Sequence, residues 1–113
     1  MSLPHPVPDD LAELIAERMR VLGEPTRIKL LDRLREGEAT GQELMALVDA
    51  SQQNVSKHLG VLLRAGVVGR RKNGVRVYYR IVDESVFALC EEICGSAQRQ
   101  LTEMTALLEQ VAS

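Results

Sequence analysis

A mainly helical fold carrying one β-hairpin is what this sequence predicts. Apolar residues recur at helical spacing through most of the chain, and a segment of alternating apolar and polar residues follows residue 74. An Asn73-Gly74 pair, the strongest short hairpin signal, stands between that segment and a strand-like run before it. The elements read in the order ααααββα.

Residues 1–8 hold three prolines (Pro4, Pro6, Pro8) and read as an irregular arm ahead of a single domain at 9–113. An acidic start at Asp9 leads into Leu11, Leu14, Ile15, Met19 and Leu22, one face of a helix over 9–22 that Gly23 ends. Pro25 suits the first turn of a second helix, where its missing N–H costs nothing. That helix carries Ile28, Leu30, Leu31 and Leu34 and stops at Gly37. Thr40-Gly-Gln-Glu43 has the form of a capping box, with Thr40 as cap and Glu43 reaching back. The short helix it opens holds Leu44, Leu47 and Val48. Ser51 is a second N-cap, starting a helix that runs to about Ala65 and ends at Gly66. Joined only by residues around Asp49-Ala50, these two form a helix-turn-helix. In the hairpin, Val75, Val77, Tyr79 and Ile81 alternate with Arg76, Tyr78 and Arg80, and a type I′ turn is expected at Asn73-Gly74. A long helical pattern over 84–111 closes the chain.

A chain of 113 residues holds one domain, and with no Trp, one Phe and two Tyr its core must be aliphatic. No apolar run reaches the ~18–20 residues of a membrane span, and the N-terminus lacks the pattern of a signal peptide, which predicts a cytoplasmic protein. Net charge is −2, but the distribution is uneven. Between Ser51 and Arg80 lie Lys57, Arg64, Arg70, Arg71, Lys72, Arg76 and Arg80 and no acid, so this window carries +7 and the rest −9. Such separation creates a local positive face able to steer toward phosphates. A solvated basic hairpin is the bland alternative.

Advancing ~100° per residue along the helix after Ser51 gathers Val55, Leu59, Leu62 and Leu63 on a core side. Gln53, Lys57, Gly60 and Arg64 point the other way, with Asn54 and Ser56 on the flanks and His58 between the two faces. Gln and Asn pair with adenine, and Lys and Arg with guanine, in the major groove. Ser51 stands where a hydroxyl and backbone N–H groups hold a phosphate. Gly60 permits close backbone approach. Arg70, Arg71, Lys72 and Arg76 cluster about the hairpin turn and suit phosphate or minor-groove contact. Reader helix and basic wing make a winged helix-turn-helix, and the candidate DNA-binding residues are Ser51, Gln53, Asn54, Ser56, Lys57, His58, Arg64, Arg70, Arg71, Lys72 and Arg76. A polar solvated face is the alternative for the helix, and packing the alternative for His58.

Three stretches resemble the ArsR/SmtB-type regulators. Leu22-Gly-Glu-Pro-Thr-Arg-Ile-Lys-Leu-Leu31 is similar to their second-helix signature. Ser51-Gln-Gln-Asn-Val-Ser-Lys-His-Leu59, with Leu62-Leu63 and Ala65-Gly-Val-Val68, is similar to their recognition helix and its exit. Gly74-Val-Arg-Val-Tyr-Tyr-Arg-Ile81 is similar to their wing. The resemblance spans roughly residues 11 to 110 and implies a homodimer that binds an inverted-repeat operator in double-stranded DNA and represses until an effector releases it.

Dimerisation is argued more directly by the last helix. Val86, Cys90, Ile93, Cys94, Ala97, Leu101, Met104 and Leu108 form a long apolar stripe that a small core cannot bury together with the first helix. Burial of both across a two-fold axis spaces two reader helices for successive major grooves.

The effector is less legible. Many relatives carry Glu-Leu-Cys-Val-Cys-Asp where this chain has Glu43-Leu-Met-Ala-Leu-Val48, so Met45 and Leu47 replace the thiolates and that metal site is absent. Asp83 matches the first ligand of a second family site, but Ser85, Ser96 and Arg99 occupy the others, and one carboxylate does not make a zinc site. Cys90 and Cys94 remain, one turn apart on one face. They suit a soft ion such as As(III), Cd(II) or Zn(II), or oxidation or persulfidation, and equally suit simple packing in the apolar stripe. His5 is an additional ligand only in principle.

No paired carboxylates, Gly-rich phosphate loop or nucleophile with an adjacent base marks an enzyme. A repressor with no ligand and a winged-helix module that binds an acidic protein surface stay as competing readings.

Overall fold

Helix α1 (Asp9–Leu22) opens on Asp9 and Asp10 and closes at Gly23, whose N–H donates to Met19 O. The computed structural model describes residues 3–48 and 51–112. The turn expected at Asp49-Ala50 therefore lies outside the described residues. Two compact units are distinguished, residues 1–82 and 83–113.

In the first unit, helix α2 (Pro25–Leu34) has Pro25 in its first turn, and its N-cap Glu24 accepts the Arg27 N–H. The helix ends at Leu34, three residues short of Gly37. Helix α3 (Gly41–Leu47) is capped by Thr40, whose hydroxyl accepts the Glu43 N–H at 3.1 Å. Half of the expected capping box forms as drawn. The Glu43 carboxylate reaches back to the Thr40 hydroxyl at 3.1 Å rather than to its backbone N–H, and also takes a donor from Arg33 at 3.2 Å. Helix α4 (Gln52–Arg64) starts at Ser51, whose Oγ accepts the Asn54 N–H at 3.1 Å, and gives way to Gly66 at φ +74°. That left-handed value is the usual role of glycine beyond a helix end.

The core of this unit is aliphatic, as the composition requires. Leu30 and Leu31 of α2, Leu44 of α3, Leu62 of α4 and Val67 are at most 1% exposed. Burying each such side chain contributes ~1.5–3 kcal/mol, and truncating Leu62 to Ala costs about 2–5 kcal/mol. Ile28, another of the apolar residues that α2 carries, is 44% exposed.

The hairpin carries an extra partner that periodicity did not reveal. Strands β2 (Val68–Asn73) and β3 (Arg76–Ile81) pair antiparallel, and the two-residue strand β1 (Ala39–Thr40) adds to the far edge of β3, giving the order β1-β3-β2. Thr40 stands opposite Tyr78, and Tyr78 opposite Arg71.

The turn also differs from expectation. Asn73 pairs with Arg76, so the loop is Gly74-Val75 rather than Asn73-Gly74. Gly74 has φ +67°, and among the described residues no non-glycine has positive φ, which is the pattern of a type II′ turn. The register is set at the buried base of the hairpin. Val67 and Val68 are buried there, and the Val82 N–H donates to Val67 O at 3.0 Å, leaving two residues at the tip. Val75, expected on the apolar strand face, is consequently 99% exposed.

The second unit is helix α5 (Glu84–Ala112), 29 residues and about 44 Å long. Asp83 precedes it, with Oδ1 accepting both the backbone N–H and the hydroxyl of Ser85. Leu101, Met104, Leu107, Leu108 and Val111 are 53–84% exposed in the single chain. Among the described residues no helix is long and apolar enough to cross a membrane.

Candidate nucleic-acid interface

Helix α4 presents two different faces. Val55, His58, Leu59 and Leu62 are buried, and Gln53, Asn54, Ser56, Lys57 and Arg64 are exposed. The exposed set combines paired donor–acceptor amides with cations and holds no acid, the inventory that reads base edges. Ser51 uses its oxygen to cap the helix, and its O–H remains as a donor at the helix start.

His58 does not share that face. It is 8% exposed, and its Nδ1 accepts from Arg27 Nε at 3.0 Å. Its place among the expected DNA-facing residues is therefore corrected to an inward one: a helical position between two faces is decided by the neighbour that satisfies it, here Arg27. Arg27 also donates through Nη1 to Val21 O at 2.9 Å, and the Glu24 carboxylate stands 3.7 Å from His58 Nδ1. One guanidinium thus ties the end of α1 to α4, while Glu24 caps α2. Both lie in the stretch that resembles the second-helix signature, but nothing in the sequence paired either with His58.

Arg64 lies back along its own helix. A Cβ added at Gly60 would stand 3.2 Å from Arg64 Nη1, so the bare surface at Gly60 is where that guanidinium rests.

The basic residues of the reader helix and the wing differ in their partners. Among the described residues Lys57, Arg70, Lys72 and Arg76 have no ion pair with an acid. Arg71 has one. Its Nε donates to Glu38 Oε2 at 2.9 Å and its Nη2 to Oε1 at 3.2 Å, and its guanidinium sits 4.6 Å from the Tyr78 ring centroid. The Arg71 hydrogen bond, aided by the charges of Arg71 and Arg80, holds the Glu38 carboxyl below the usual carboxylate range against an opposing effect of burial. Arg71 is raised in turn, first by the same hydrogen bond. The acid-free window therefore acquires one acid in space, from a residue 33 positions away.

Between the start of α3, α4 and β3 lies a groove of about 520 Å³. Gln42, Gln52, Ser56 and Arg76 line it together with Met45 and Tyr79, and none of its lining residues is acidic. Gln52 escaped the sequence reading because it stands one position away from the helical face that defined the reader set, and Gln42 because it lies on α3, outside the reader helix.

This architecture has close counterparts. A family model described as a helix-turn-helix domain matches residues 22–71. The HTH-type transcriptional regulator KmtR of Mycobacterium tuberculosis is 36% identical over 97 residues, which cover 86% of this chain and 75% of KmtR. The chain belongs to the ArsR/SmtB family of winged helix-turn-helix transcriptional regulators. The biofilm growth-associated repressor of Agrobacterium fabrum is 32% identical over 92 residues, 81% of this chain and 79% of the repressor. Among solved structures, Rv0081 of M. tuberculosis superposes with TM-score 0.77 at 32% identity, covering 87% of this chain and 99% of that one. A homodimeric winged helix-turn-helix domain from Mycobacterium bovis, described as a possible ArsR-family regulator, gives 0.70 at 29% identity over 87% and 94%. Fold and relatives are those of DNA-binding ArsR/SmtB regulators, not of enzymes.

The thiols of this ArsR/SmtB chain lie on α5. Cys90 and Cys94 are not joined in a disulfide, and both are half-buried and one turn apart. Two thiols fall short of the three or four ligands of a closed soft-metal site. Among the described residues no group of three or more His, Cys, Asp or Glu is placed to hold a metal. Asp83, the residue matching a family ligand position, is engaged at the start of α5 with Ser85.

Proposed function

We propose that this protein represses transcription as a homodimer bound to an inverted-repeat operator, reading bases with Gln53, Asn54, Ser56 and Lys57. Ser51, Arg64, Arg70, Lys72 and Arg76 hold the phosphate backbone around that contact. The observation that carries the reading is the exposed, acid-free face of α4 set beside unpaired wing cations. The exposed apolar residues of α5 support self-association, since such stripes mark interaction surfaces. Binding to duplexes selected from a random pool tests the assignment. Gln53→Ala and Lys57→Ala should each cost about 1–3 kcal/mol per base-reading contact. Unchanged affinity in both variants would remove the reader role from α4.

Release by an effector is the finer part of this reading, and it rests on Cys90 and Cys94. Operator affinity measured across soft metal ions, oxidants and polysulfides, in the wild type and in Cys90→Ser/Cys94→Ser, decides it. A response lost in the variant supports thiol sensing; no response in the wild type leaves a ligand-independent repressor.

A further inference from the structure

We propose that Arg71, unlike its basic neighbours, is a positioning residue that sets the wing through Glu38 and Tyr78 and does not contact DNA. The inference rests on the DNA-binding reading above but is carried by a separate observation, the cross-sheet row of Glu38, Tyr78 and Arg71.

Strands β1 and β2 are opposite edges of the sheet and share only β3. Arg71 stands on β2 opposite Tyr78 on β3, and Glu38 immediately precedes β1. The Arg71 side chain therefore crosses the middle strand, lying 4.6 Å from the Tyr78 ring centroid, and closes a two-pronged hydrogen-bonded pair with Glu38 at 2.9 and 3.2 Å. The two-pronged pair needs a planar fork with fixed directions, which Arg has and Lys lacks.

What the row joins gives it a use. From Glu38 the chain passes through the two residues of β1 directly into the Thr40 cap of α3, the first helix of the helix-turn-helix. A hairpin held only along β3 pivots at its base. Tying β2 to the segment that opens α3 fixes the wing against the body that carries the reader helix. Such fixing matters because a tip already aimed makes the phosphate contacts of Arg70, Lys72 and Arg76 without a further ordering cost on binding.

Charge favours the same assignment. An unmatched carboxylate beside a phosphate-binding wing repels the duplex. Paired with Arg71, Glu38 adds no net charge to the face, and the pair acts through geometry. Both side chains keep solvent contact, 46% exposed for Arg71 and 35% for Glu38, so the pair is a modest stabiliser of the fold and its effect lies in orientation.

Four full-length proteins test this: wild type, Glu38→Gln, Arg71→Lys and Arg71→Ala. The probe is a random-sequence duplex of about 30 base pairs, long enough for two successive major grooves. Glu38→Gln removes a negative charge, so simple electrostatics predicts tighter binding; positioning predicts weaker binding, on the order of 3-fold or more. Arg71→Lys should fall with Arg71→Ala, and the slope of log affinity against log salt should match wild type in both. Tighter binding by Glu38→Gln, or a slope reduced by about one for each Arg71 removed, would make Arg71 a phosphate contact and Glu38 its competitor, and overturn the proposal. Amide hydrogen exchange in DNA-free protein separates this from the broader reading. Faster exchange across Ala39–Thr40 and Val68–Asn73 in the variants is expected even if no duplex binds, and unchanged exchange in Glu38→Gln and Arg71→Ala sinks the clamp on its own.

Discussion

Arg27 Nε donates to His58 Nδ1 at 3.0 Å, so the imidazole of the reader helix is an acceptor on the side that faces α2. Arg has no acceptor atoms, which fixes the direction of that bond and leaves the ring proton on Nε2. The contact bridges 31 residues of sequence and, with the Arg27 Nη1 bond to Val21 O, joins three helices at one guanidinium. Replacing His58 by Ala empties a buried site and strands an Arg27 donor, for a loss of about 1–3 kcal/mol in urea unfolding. Because His58 faces inward, the ranking of duplex sequences should survive the change. A reshuffled ranking with intact stability would return His58 to the base-reading set.

The hairpin tip supplies a sharper test of register. Gly74 holds φ +67°, a region closed to most side chains, so Gly74→Ala should destabilise the hairpin by about 1–2 kcal/mol. Asn73 lies within β2 and not at a central turn position, so Asn73→Ala should cost far less. A type I′ turn at Asn73-Gly74 would penalise both positions. Hydrogen exchange along β2 and β3 in the two variants distinguishes the arrangements.

Local signals carried most of the fold. Pro25, Thr40 and Ser51 mark helix starts because a cap depends on three or four successive residues, and the structure bears each of them out. The Thr40-to-Glu43 bond was legible for the same reason. Strand β1 was not, since Ala39-Thr40 has no strand pattern of its own and exists only as a partner of β3. Glu38 escaped likewise: its partner Arg71 is distant in sequence, and an acid that closes across a sheet looks like any surface Glu. For the reader helix, periodicity placed Val55, Leu59 and Leu62 on the buried side, as observed, but a residue at the boundary such as His58 needed its tertiary neighbour.

Acid titration should expose the Glu38 pair. The carboxyl is held below its ordinary value in the folded protein, chiefly by the Arg71 hydrogen bond. A depressed carboxylate stabilises the fold fully at pH above its unfolded value, and that contribution declines as pH falls through the folded value. The stability difference between wild type and Glu38→Gln should thus be flat at neutral pH and shrink toward zero in acid. A difference that grows on acidification has the wrong sign for this pair and would show that Glu38 gains no stabilisation from Arg71.

The apolar surface of α5 bears on assembly. Leu101 is 65% exposed and Leu108 69%, two turns apart on one helix, a costly display for a chain that stays alone. In a symmetric dimer each substitution acts twice, so Leu101→Glu or Leu108→Glu introduces two buried charges into one interface. Sedimentation equilibrium should show the wild type as a dimer and each variant shifted toward monomer. Operator affinity should fall with the dimer, since one reader helix engages a half-site and loses the gain from a linked second contact. Circular dichroism of residues 1–82 elements need not change, because the cores built on Leu30, Leu44 and Leu62 are internal to each chain. Variants that remain dimeric, and bind a two-half-site duplex as tightly as wild type, would place the self-association surface elsewhere than on this stripe.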